Sequence, residues 1–354
     1  MTRTLPDSTT RFDPTRPIET ARTPPAWWYI HPDRDAAERR QVLAANWQVV
    51  AHQDELTSPG AYVSGCLGGE PWVVIRQENG SLDAFSNVCR HNGTQVAVGR
   101  GITDKLTCPY HGWTYQLDGT LATAPRLGGV KEFRREDYAL PSLPVMELGP
   151  LVLVHLNGSG RPLPLDELTR RLDASGWEGL VRRERRTYEL QCNWKVFVDN
   201  YLDGGYHVPF LHRDLAEELD LDGYRTELFD RYSIQTVAPA PDATKRLNRD
   251  ALYAWVYPNL MINRYGPMMD INVVVPTGPT SCRVIFDWYF DSTCEDAFIQ
   301  KALRSSEQVQ NEDIAICESL QVGMGSIHFR PGPYAPKVEM GKLQFHRLVH
   351  ADMA

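Results

Sequence analysis

The chain has 354 residues, a formal net charge of −8, 42% hydrophobic residues and 23% charged residues. This is the composition of a globular protein long enough for two cores, and it excludes a disordered or fibrous chain. The acidic balance argues against a nucleic-acid partner, and no apolar run is long enough to span a membrane. The N-terminal stretch lacks the features of a signal or transit peptide, so we expect a cytoplasmic protein.

The first half of the chain is predicted to build a small β domain. Residues 1–25 have no hydrophobic periodicity and are expected to be extended or disordered, up to an aromatic cluster at residues 26–29 that packs on a domain surface. Residues 35–46 have the pattern of a short amphipathic helix. Short apolar runs at residues 61–63, 72–75, 82–85 and 151–154 alternate with Gly, Pro and Asp turns, which indicates antiparallel strands.

The second half is predicted to be mixed, so the whole chain is classed as α+β. Glycines and prolines at residues 158–164 mark a domain boundary. The basic cluster Arg182–Arg186 is expected to be a solvated face, with docking of an acidic electron donor as the alternative. Antiparallel strands are predicted between residues 253 and 290, and a helix from 295 to about 320. The expected division is an extension and helix at 1–46 packing on the second domain, a β domain at 47–157 and the second domain at 158–354.

One motif in the β domain specifies a cofactor by ligand identity and spacing. Cys89-x-His91 is followed, after a gap, by Cys108-x-x-His111. Each short loop supplies one thiolate and one imidazole, whereas a zinc finger usually groups its cysteines and its histidines separately. A Rieske [2Fe-2S] cluster needs the interleaved arrangement, because both cysteines bind one iron and both histidines bind the other. A structural zinc site is the alternative.

A second motif is typical of a mononuclear metal site. His207 and His212 are five residues apart, which is not a same-face helical spacing, and we expect Pro209 to break the chain and turn His212 back toward His207. A carboxylate would complete a facial triad for non-haem Fe(II). Asp313, in the last predicted helix, is the candidate, with Glu312 and Asp296 as alternatives. Taken alone, the two histidines could equally be hydrogen-bonded core residues.

Together these motifs resemble the oxygenase component of the Rieske non-haem iron oxygenases, over nearly the whole chain. Within that family, residues 199–209 and 257–267 are most similar to the choline monooxygenases. The resemblance implies a Rieske β domain, a helix-grip catalytic domain with a large antiparallel sheet, and a head-to-tail homotrimer in which one subunit's cluster serves its neighbour's iron. It also implies a ferredoxin or a flavin-dependent reductase as the electron donor, and O₂ and a small molecule as substrates.

The resemblance also suggests roles for further residues. Asn200 matches a family position near the iron, and an acidic residue three before the first iron histidine commonly bridges the two metal centres. Here that position is Gly204 and the nearest acid is Asp203. A quaternary ammonium substrate needs an aromatic cage, for which we select residues from the aromatic-rich strands, although plain core packing is the alternative. The candidates are Trp255, Tyr265, Phe286 and Trp288.

The implied activity is hydroxylation of choline, or of a related methylated ammonium compound, to give betaine aldehyde hydrate in the case of choline. Three alternatives stay open at this point. The chain could be an N-demethylase of a betaine that releases formaldehyde, an aromatic-ring hydroxylating oxygenase, or a Rieske electron-transfer protein without catalysis.

Overall fold

The structure, a computed structural model, describes residues 11–240 and 250–354. Within these ranges, no helix combines the length and the hydropathy needed to cross a membrane. The chain forms two compact units: one is Arg39–Leu163, and the other joins the described residues up to Glu38 to Pro164–Ala354. The division into 1–46, 47–157 and 158–354 stays a prediction.

Residues 11–25 follow a defined path of short turns and extended backbone, which fits the extended alternative of the expectation, while residues 1–10 lie outside the described chain. Phe12 is buried and packs on Trp28 with ring centroids 5.2 Å apart. Two short helices follow, α1 (Trp27–Ile30) and α2 (Pro32–Glu38), and then a π-helical turn at Arg39–Leu43. The helix predicted over 35–46 was therefore wrong at both ends. Pro32 can begin a helix because the N–H groups of the first turn have no acceptor within the helix, so the N–H that proline lacks is not needed there.

The β-rich unit contains eleven short antiparallel strands, and all four predicted strands in it are confirmed. Its strands are β1 (Trp47–His52), β2 (Ala61–Leu67), β3 (Glu70–Arg76), β4 (Leu82–Ser86), β5 (Arg100–Ile102), β6 (Leu106–Thr107), β7 (Thr114–Tyr115), β8 (Leu121–Thr123), β9 (Ser142–Leu143), β10 (Val145–Leu148) and β11 (Leu151–His155). They form sheets in the orders β1-β11-β10, β5-β2-β3-β4-β9 and β6-β7-β8. The two loops carrying Cys89 and Cys108 connect β4 to β5 and β6 to β7.

The larger unit is built on one seven-stranded antiparallel sheet, ordered β12-β18-β17-β16-β15-β14-β13. Its strands are β12 (Leu180–Leu190), β13 (Arg225–Leu228), β14 (Tyr232–Val237), β15 (Ala251–Val256), β16 (Leu260–Tyr265), β17 (Met268–Gly278) and β18 (Ser281–Asp291). Its helices are α3 (Asp166–Ala174), α4 (Trp194–Tyr201), α5 (Val208–Leu211), α6 (Arg213–Ala216), α7 (Asp296–Met324) and α8 (Met340–Asp352). The α+β fold class is confirmed.

The basic cluster Arg182–Arg186 lies on strand β12. Arg185 binds Asp287 with two nitrogens, each 2.8 Å from a carboxylate oxygen, and Arg186 Nη1 lies 2.7 Å from a carboxylate oxygen of Glu307. These ion pairs tie β12 to β18 and to α7. Docking of an acidic donor on this strand, the alternative to a solvated face, stays untested.

Helices α4 and α7 determine where side chains can meet above the sheet. Six consecutive residues of α4, Trp194–Asp199, are buried, so this helix is enclosed on all sides. In α7, the buried positions Ile299, Leu303, Ser306, Gln310 and Cys317 recur every three or four residues along one face. Asp313 falls on the same stripe, between Gln310 and Cys317, and this stripe directs it toward α4.

Candidate metal centres and active-site cavity

The two cysteine–histidine loops have the same backbone geometry. In the first, Gly93 N–H donates to the Cys89 carbonyl and Cys89 N–H donates to the carbonyl five residues on; Gly112 and Cys108 repeat this pattern in the second. Both glycines have positive φ, 83° and 72°, a conformation that residues with a Cβ adopt only under strain. The repeated turn brings equivalent residues of the two loops face to face.

The four candidate cluster ligands divide by chemistry into a buried and an exposed pair. Cys89 and Cys108 are each 2% exposed, in the core of the β-rich unit, whereas His91 and His111 are exposed. The Nδ1 atoms of the two histidines lie 3.1 Å apart. A buried pair of thiols and an exposed pair of converging imidazoles are the donors that a Rieske cluster requires, and these four residues would hold it.

Aromatic side chains complete the surroundings of these four residues. Trp113 is buried and stacks on the His91 ring at 5.0 Å and 12°. Tyr115 Oη lies 3.4 Å from Cys89 Sγ, and it accepts the N–H of Arg90 at 2.9 Å. Burial and the neighbouring Cys89 raise the pKa of Tyr115, so the hydroxyl stays protonated and can donate to the sulfur. Hydrogen bonds to cluster sulfurs are one of the features that set a reduction potential.

In the larger unit, ligand atoms of His207, His212 and Asp313 lie within 4.8 Å of one another. Asp313 Oδ1 is 3.1 Å from His212 Nε2 and 3.9 Å from His207 Nε2. The two imidazole rings are 5.0 Å apart and nearly perpendicular. Two histidines and one carboxylate on one side of a possible ion form the donor set of a facial triad, which leaves other positions open.

Each histidine of this group is held from behind by another carboxylate. His207 Nδ1 lies 2.7 Å from Asp203 Oδ2, and His212 Nδ1 lies 2.6 Å from Glu312 Oε2. Such contacts fix each ring so that its Nε2 lies toward Asp313, where it could bind a metal ion. Glu312 therefore reaches the far side of His212 and is separated from the Nε2 side. Asp296, the other alternative, begins α7, about 25 Å along the helix from Asp313.

The electrostatics of the group favour a cation. Burial lowers the pKa of His212, but Asp313 and Glu312 outweigh it and raise the pKa above its ordinary value. The same negative potential would stabilise a divalent ion between the Nε2 atoms. Asn200 Nδ2 donates to Asp313 Oδ1 at 2.7 Å and orients that carboxylate from α4.

The turn between the histidines differs from the expectation. Pro209 stands in the first turn of α5, where it is compatible with a helix, and His212 N–H still donates to the Val208 carbonyl at 2.9 Å. The chain departs from helical geometry at His212 itself, with φ −112° and ψ 67°. The histidines converge because α5 is a single turn that ends at His212.

Gly204, the position where a bridging acid was expected, has no space for a side chain. Its φ is +69°, and a Cβ atom would lie 2.3 Å from the backbone oxygen of Val338. Asp203 accepts the N–H groups of Tyr206 and His207 as well as contacting the His207 ring. It is the carboxylate nearest to His207 on this segment.

A cavity of about 150 Å³ opens beside His207, His212 and Asp313, between the helices and the sheet. Its wall is mostly aromatic and amide-bearing. The lining residues from the sheet are Gln235, Tyr253, Asn263, Tyr265, Asp270, Asn272 and Phe286, and those from helices and turns include Phe197, Asn200, Tyr201, Tyr224, Leu215, Val309 and Gln310.

Comparison with known proteins identifies the family. Residues 46–134 match the Rieske [2Fe-2S] domain, and residues 177–354, half of the chain, match the ring hydroxylating alpha subunit catalytic domain. The chain is a Rieske non-haem iron oxygenase. The match extends the assignment from the separate loops to both halves of the protein.

This oxygenase is similar in sequence or structure to three characterised proteins. It is 42% identical to the chloroplastic choline monooxygenase of Arabidopsis thaliana, over 97% of this chain and 86% of that protein. It is 29% identical to the carnitine monooxygenase oxygenase subunit of Escherichia coli, over 88% and 86% of the two chains. A solved quaternary ammonium Rieske monooxygenase, described in terms of carnitine oxidation and inter-subunit electron transfer, has a TM-score of 0.83 at 27% identity and covers 95% of this chain and 96% of its own.

Membership of this family means that the oxygenase carries a Rieske [2Fe-2S] cluster and a mononuclear non-haem iron. The residues present fit both groups. The thiol pair and imidazole pair of the β-rich unit supply the donors of the cluster, and His207, His212 and Asp313 supply two imidazoles and a carboxylate, the donors of non-haem Fe(II).

The predicted aromatic cage needs correction. Tyr265 and Phe286 line the cavity of the oxygenase, but Trp255 and Trp288 do not. Trp255 is fully buried, donates to the Pro258 carbonyl and packs on Phe345. Trp288 is fully buried behind Phe286, with ring centroids 5.2 Å apart. Both tryptophans are core residues.

Sequence reasoning missed several residues of the cavity. Tyr201, Tyr224 and Tyr253 line it, and burial raises the pKa of the first two well above the usual value, so that their hydroxyls stay protonated. Asp270 was also missed. Asp270 and Asn272 alternate with the apolar Met269 and Ile271 on β17, and this alternation is the signal that could have indicated Asp270.

Proposed function

We propose that this oxygenase hydroxylates choline, or a closely related quaternary ammonium alcohol, at the alcohol carbon. Choline, O₂, two electrons and two protons would give betaine aldehyde hydrate and water. The 42% identity to a choline monooxygenase supports this substrate class. Electrons would come from a ferredoxin or a flavin-dependent reductase.

The observation that carries the proposal is a small aromatic cavity directly beside the histidine–carboxylate group. Its volume, about 150 Å³, is that of an engineered cavity that accommodates benzene. Choline is of similar size. Aromatic faces attract a quaternary ammonium by roughly 0.5–2 kcal/mol per contact, and the wall supplies Phe197, Tyr253, Tyr265 and Phe286.

The proposed cluster ligands are Cys89, His91, Cys108 and His111. The proposed iron ligands are His207, His212 and Asp313. When bound, the mononuclear iron supplies O₂ activation with electrons relayed through the cluster. The support for these ligand sets is the converging Nδ1 atoms in the one unit and the converging Nε2 and Oδ1 atoms in the other.

Asp203 and Asn200 are proposed to act through the iron ligands. Asp203 holds His207 Nδ1, and Asn200 holds Asp313 Oδ1 at 2.7 Å. Both contacts keep the lone pairs of the ligands directed at one point. Because Gly204 has no room for a side chain, we propose Asp203 for the bridging role as well.

A head-to-tail homotrimer is the proposed assembly. In the unit that carries the cluster histidines, the large apolar side chains Val98, Ile102 and Tyr110 are exposed to 73%, 73% and 64%. Beside His207, in the other unit, Tyr206 and Phe210 are exposed to 55% and 77%. Exposed apolar groups at both sites are what an interface between copies would cover. A cytoplasmic location stays a prediction; the plant relative is named as chloroplastic.

The test is a product panel. The purified holoenzyme, with a reductase and O₂, is supplied separately with choline, glycine betaine, carnitine and an aromatic acid, and products are identified by mass spectrometry. We expect betaine aldehyde from choline and little product from the others. Formaldehyde from a methylammonium compound would replace the proposal with N-demethylation, and a hydroxylated ring would replace it with aromatic oxygenation.

A further inference from the structure

Asp270 is a buried carboxylate on the sheet wall of the cavity. It lies on β17, directly across from Asn263 on β16, and it is 4% exposed. Asn272, two residues on, points to the same face of the strand. The sheet therefore presents one acid and two amides to the space in front of the iron ligands.

Three hydrogen bonds converge on this carboxylate. Tyr265 Oη donates to Oδ1 at 2.7 Å, while Asn263 Nδ2 and Asn272 Nδ2 donate to Oδ2 at 2.6 and 3.0 Å. Tyr201 Oη donates to Asn263 Oδ1 at 2.7 Å, which leaves the amide nitrogen of Asn263 directed at Asp270. Because these partners all donate, they stabilise the ionised form of the acid.

Among the residues that the structure describes, the charged groups of the wall are divided between the iron ligands and the sheet. The lining of the cavity in residues 11–240 and 250–354 includes two carboxylates, Asp270 and Asp313, and neither lysine nor arginine. Asp313 faces the iron position from helix α7, and Asp270 stands on the sheet. Asp313 and the two histidines would be engaged with the iron, so on the sheet side it is Asp270, together with the aromatic faces, that suits a cation and opposes a second carboxylate.

We propose that Asp270 recognises the charge of the substrate: it binds the ammonium group on the sheet side, so that the alcohol carbon faces His207, His212 and Asp313. This inference rests on the proposed function and deepens it. A substrate held this way is hydroxylated at the alcohol carbon, whereas attack on an N-methyl group needs the ammonium at the iron ligands. Carnitine and glycine betaine bind poorly because their carboxylates meet a like charge.

The test compares ligand binding by the wild-type holoenzyme and by Asp270→Asn, measured by calorimetry. The ligands are tetramethylammonium, choline and the neutral isostere of choline in which carbon replaces nitrogen. Asparagine preserves the shape, and the Tyr265 hydroxyl can turn to accept from its amide. We expect Asp270→Asn to weaken binding of both cations by about tenfold or more and to leave the neutral isostere unchanged.

Two further variants control for structural effects. Tyr265→Phe removes one donor and keeps the charge, so it should retain the preference for choline over the isostere. Glu189→Gln removes the same formal charge from an exposed position on the same sheet and should bind all three ligands as the wild type does. Equal weakening of cations and isostere in Asp270→Asn, or unchanged binding of all three, would overturn the role of Asp270.

The outcome also separates this inference from the proposed function. If the wild type binds tetramethylammonium through Asp270 but does not oxidise choline, the charge-recognition site stands and the substrate assignment fails. If choline is oxidised equally well by Asp270→Asn, the substrate assignment stands and this inference fails. A shift of the Asp270→Asn products from betaine aldehyde toward formaldehyde would support the proposed orientation.

Discussion

At the scale of single residues, the two ring nitrogens of His207 and of His212 make different contacts. Nε2 of His207 and His212 converges with Asp313, and Nδ1 of each is held by a carboxylate, Asp203 or Glu312. The sequence could indicate the two histidines and the Glu312–Asp313 pair. The sequence predicted Asp313 as the ligand but left Glu312 open, because the two acids are adjacent in the chain and it is the direction of the α7 stripe that distinguishes them.

Replacing His207 by alanine should abolish turnover while leaving the cluster intact. The variant loses one ligand of the mononuclear iron, and no cluster ligand is touched. Iron analysis should show loss of the mononuclear iron, with the visible absorption of the cluster unchanged. His328→Ala, at an exposed position after α7, is the control and should keep both. Loss of the cluster absorption in His207→Ala would mean that the two metal sites are misassigned.

Asp203→Asn should lower mononuclear iron affinity or kcat by about tenfold to a hundredfold, because the His207 ring loses its anionic partner. The backbone N–H groups of Tyr206 and His207 bind different oxygens of Asp203, so the single amide oxygen of asparagine keeps one of these two hydrogen bonds. Iron titration and steady-state kinetics measure the effect, with the exposed Asp222→Asn as control. Wild-type iron affinity together with wild-type kcat would exclude the positioning role of Asp203.

At the scale of elements, the strands were predictable and the functional turn was not. Alternating apolar runs identified the β-rich unit and the paired strands β17 and β18. The break at His212 was assigned to Pro209, because proline is a strong local signal, whereas Pro209 lies inside the first turn of α5 and the chain leaves helical geometry at His212. Trp255 and Trp288 share a strand face with Tyr253 and Phe286, but the cavity covers only part of that face, and the register of neighbouring strands determines which part.

Gly204→Ala should destabilise the turn that leads to His207. The added Cβ would meet the Val338 carbonyl, and the positive φ disfavours alanine, so strain of about 1–3 kcal/mol is expected. Thermal unfolding and iron content measure the effect. Gly323→Ala is the matched control, because this glycine is exposed near the end of α7 with nothing within 4 Å, and there alanine should stabilise the helix by about 0.5–1 kcal/mol. An unchanged melting temperature and iron content in Gly204→Ala would contradict the steric argument.

At the scale of the whole molecule, the question is whether cluster and iron cooperate within one subunit or between neighbours. The proposed head-to-tail homotrimer requires the second. The trimer was predicted from the resemblance to the family alone, because motif spacing and composition do not indicate how many subunits assemble or with what symmetry. The exposed apolar residues of each unit, including Tyr110 and Phe210, add a physical reason for association.

Mixed trimers test this directly. His91→Ala lacks a complete cluster site, and His207→Ala lacks a complete iron site, so each homotrimer should be inactive. When the two variants assemble at random in equal amounts, half of the subunits keep the cluster and the other half keep the iron site. An intact cluster then faces an intact iron at roughly a quarter of the interfaces. We expect about that fraction of wild-type turnover from co-expressed, purified mixtures. No recovery in trimers shown by mass spectrometry to contain both variants would exclude electron transfer between subunits.

The most direct test of the central claim is a single turnover of the chemically reduced oxygenase with O₂ and two deuterated cholines. Choline labelled at both hydrogens of the alcohol carbon should give betaine aldehyde that keeps one deuterium. Choline labelled on the methyl groups should give betaine aldehyde that keeps every deuterium. Deuterated formaldehyde from the methyl-labelled substrate, or no product from either, would contradict hydroxylation at the alcohol carbon.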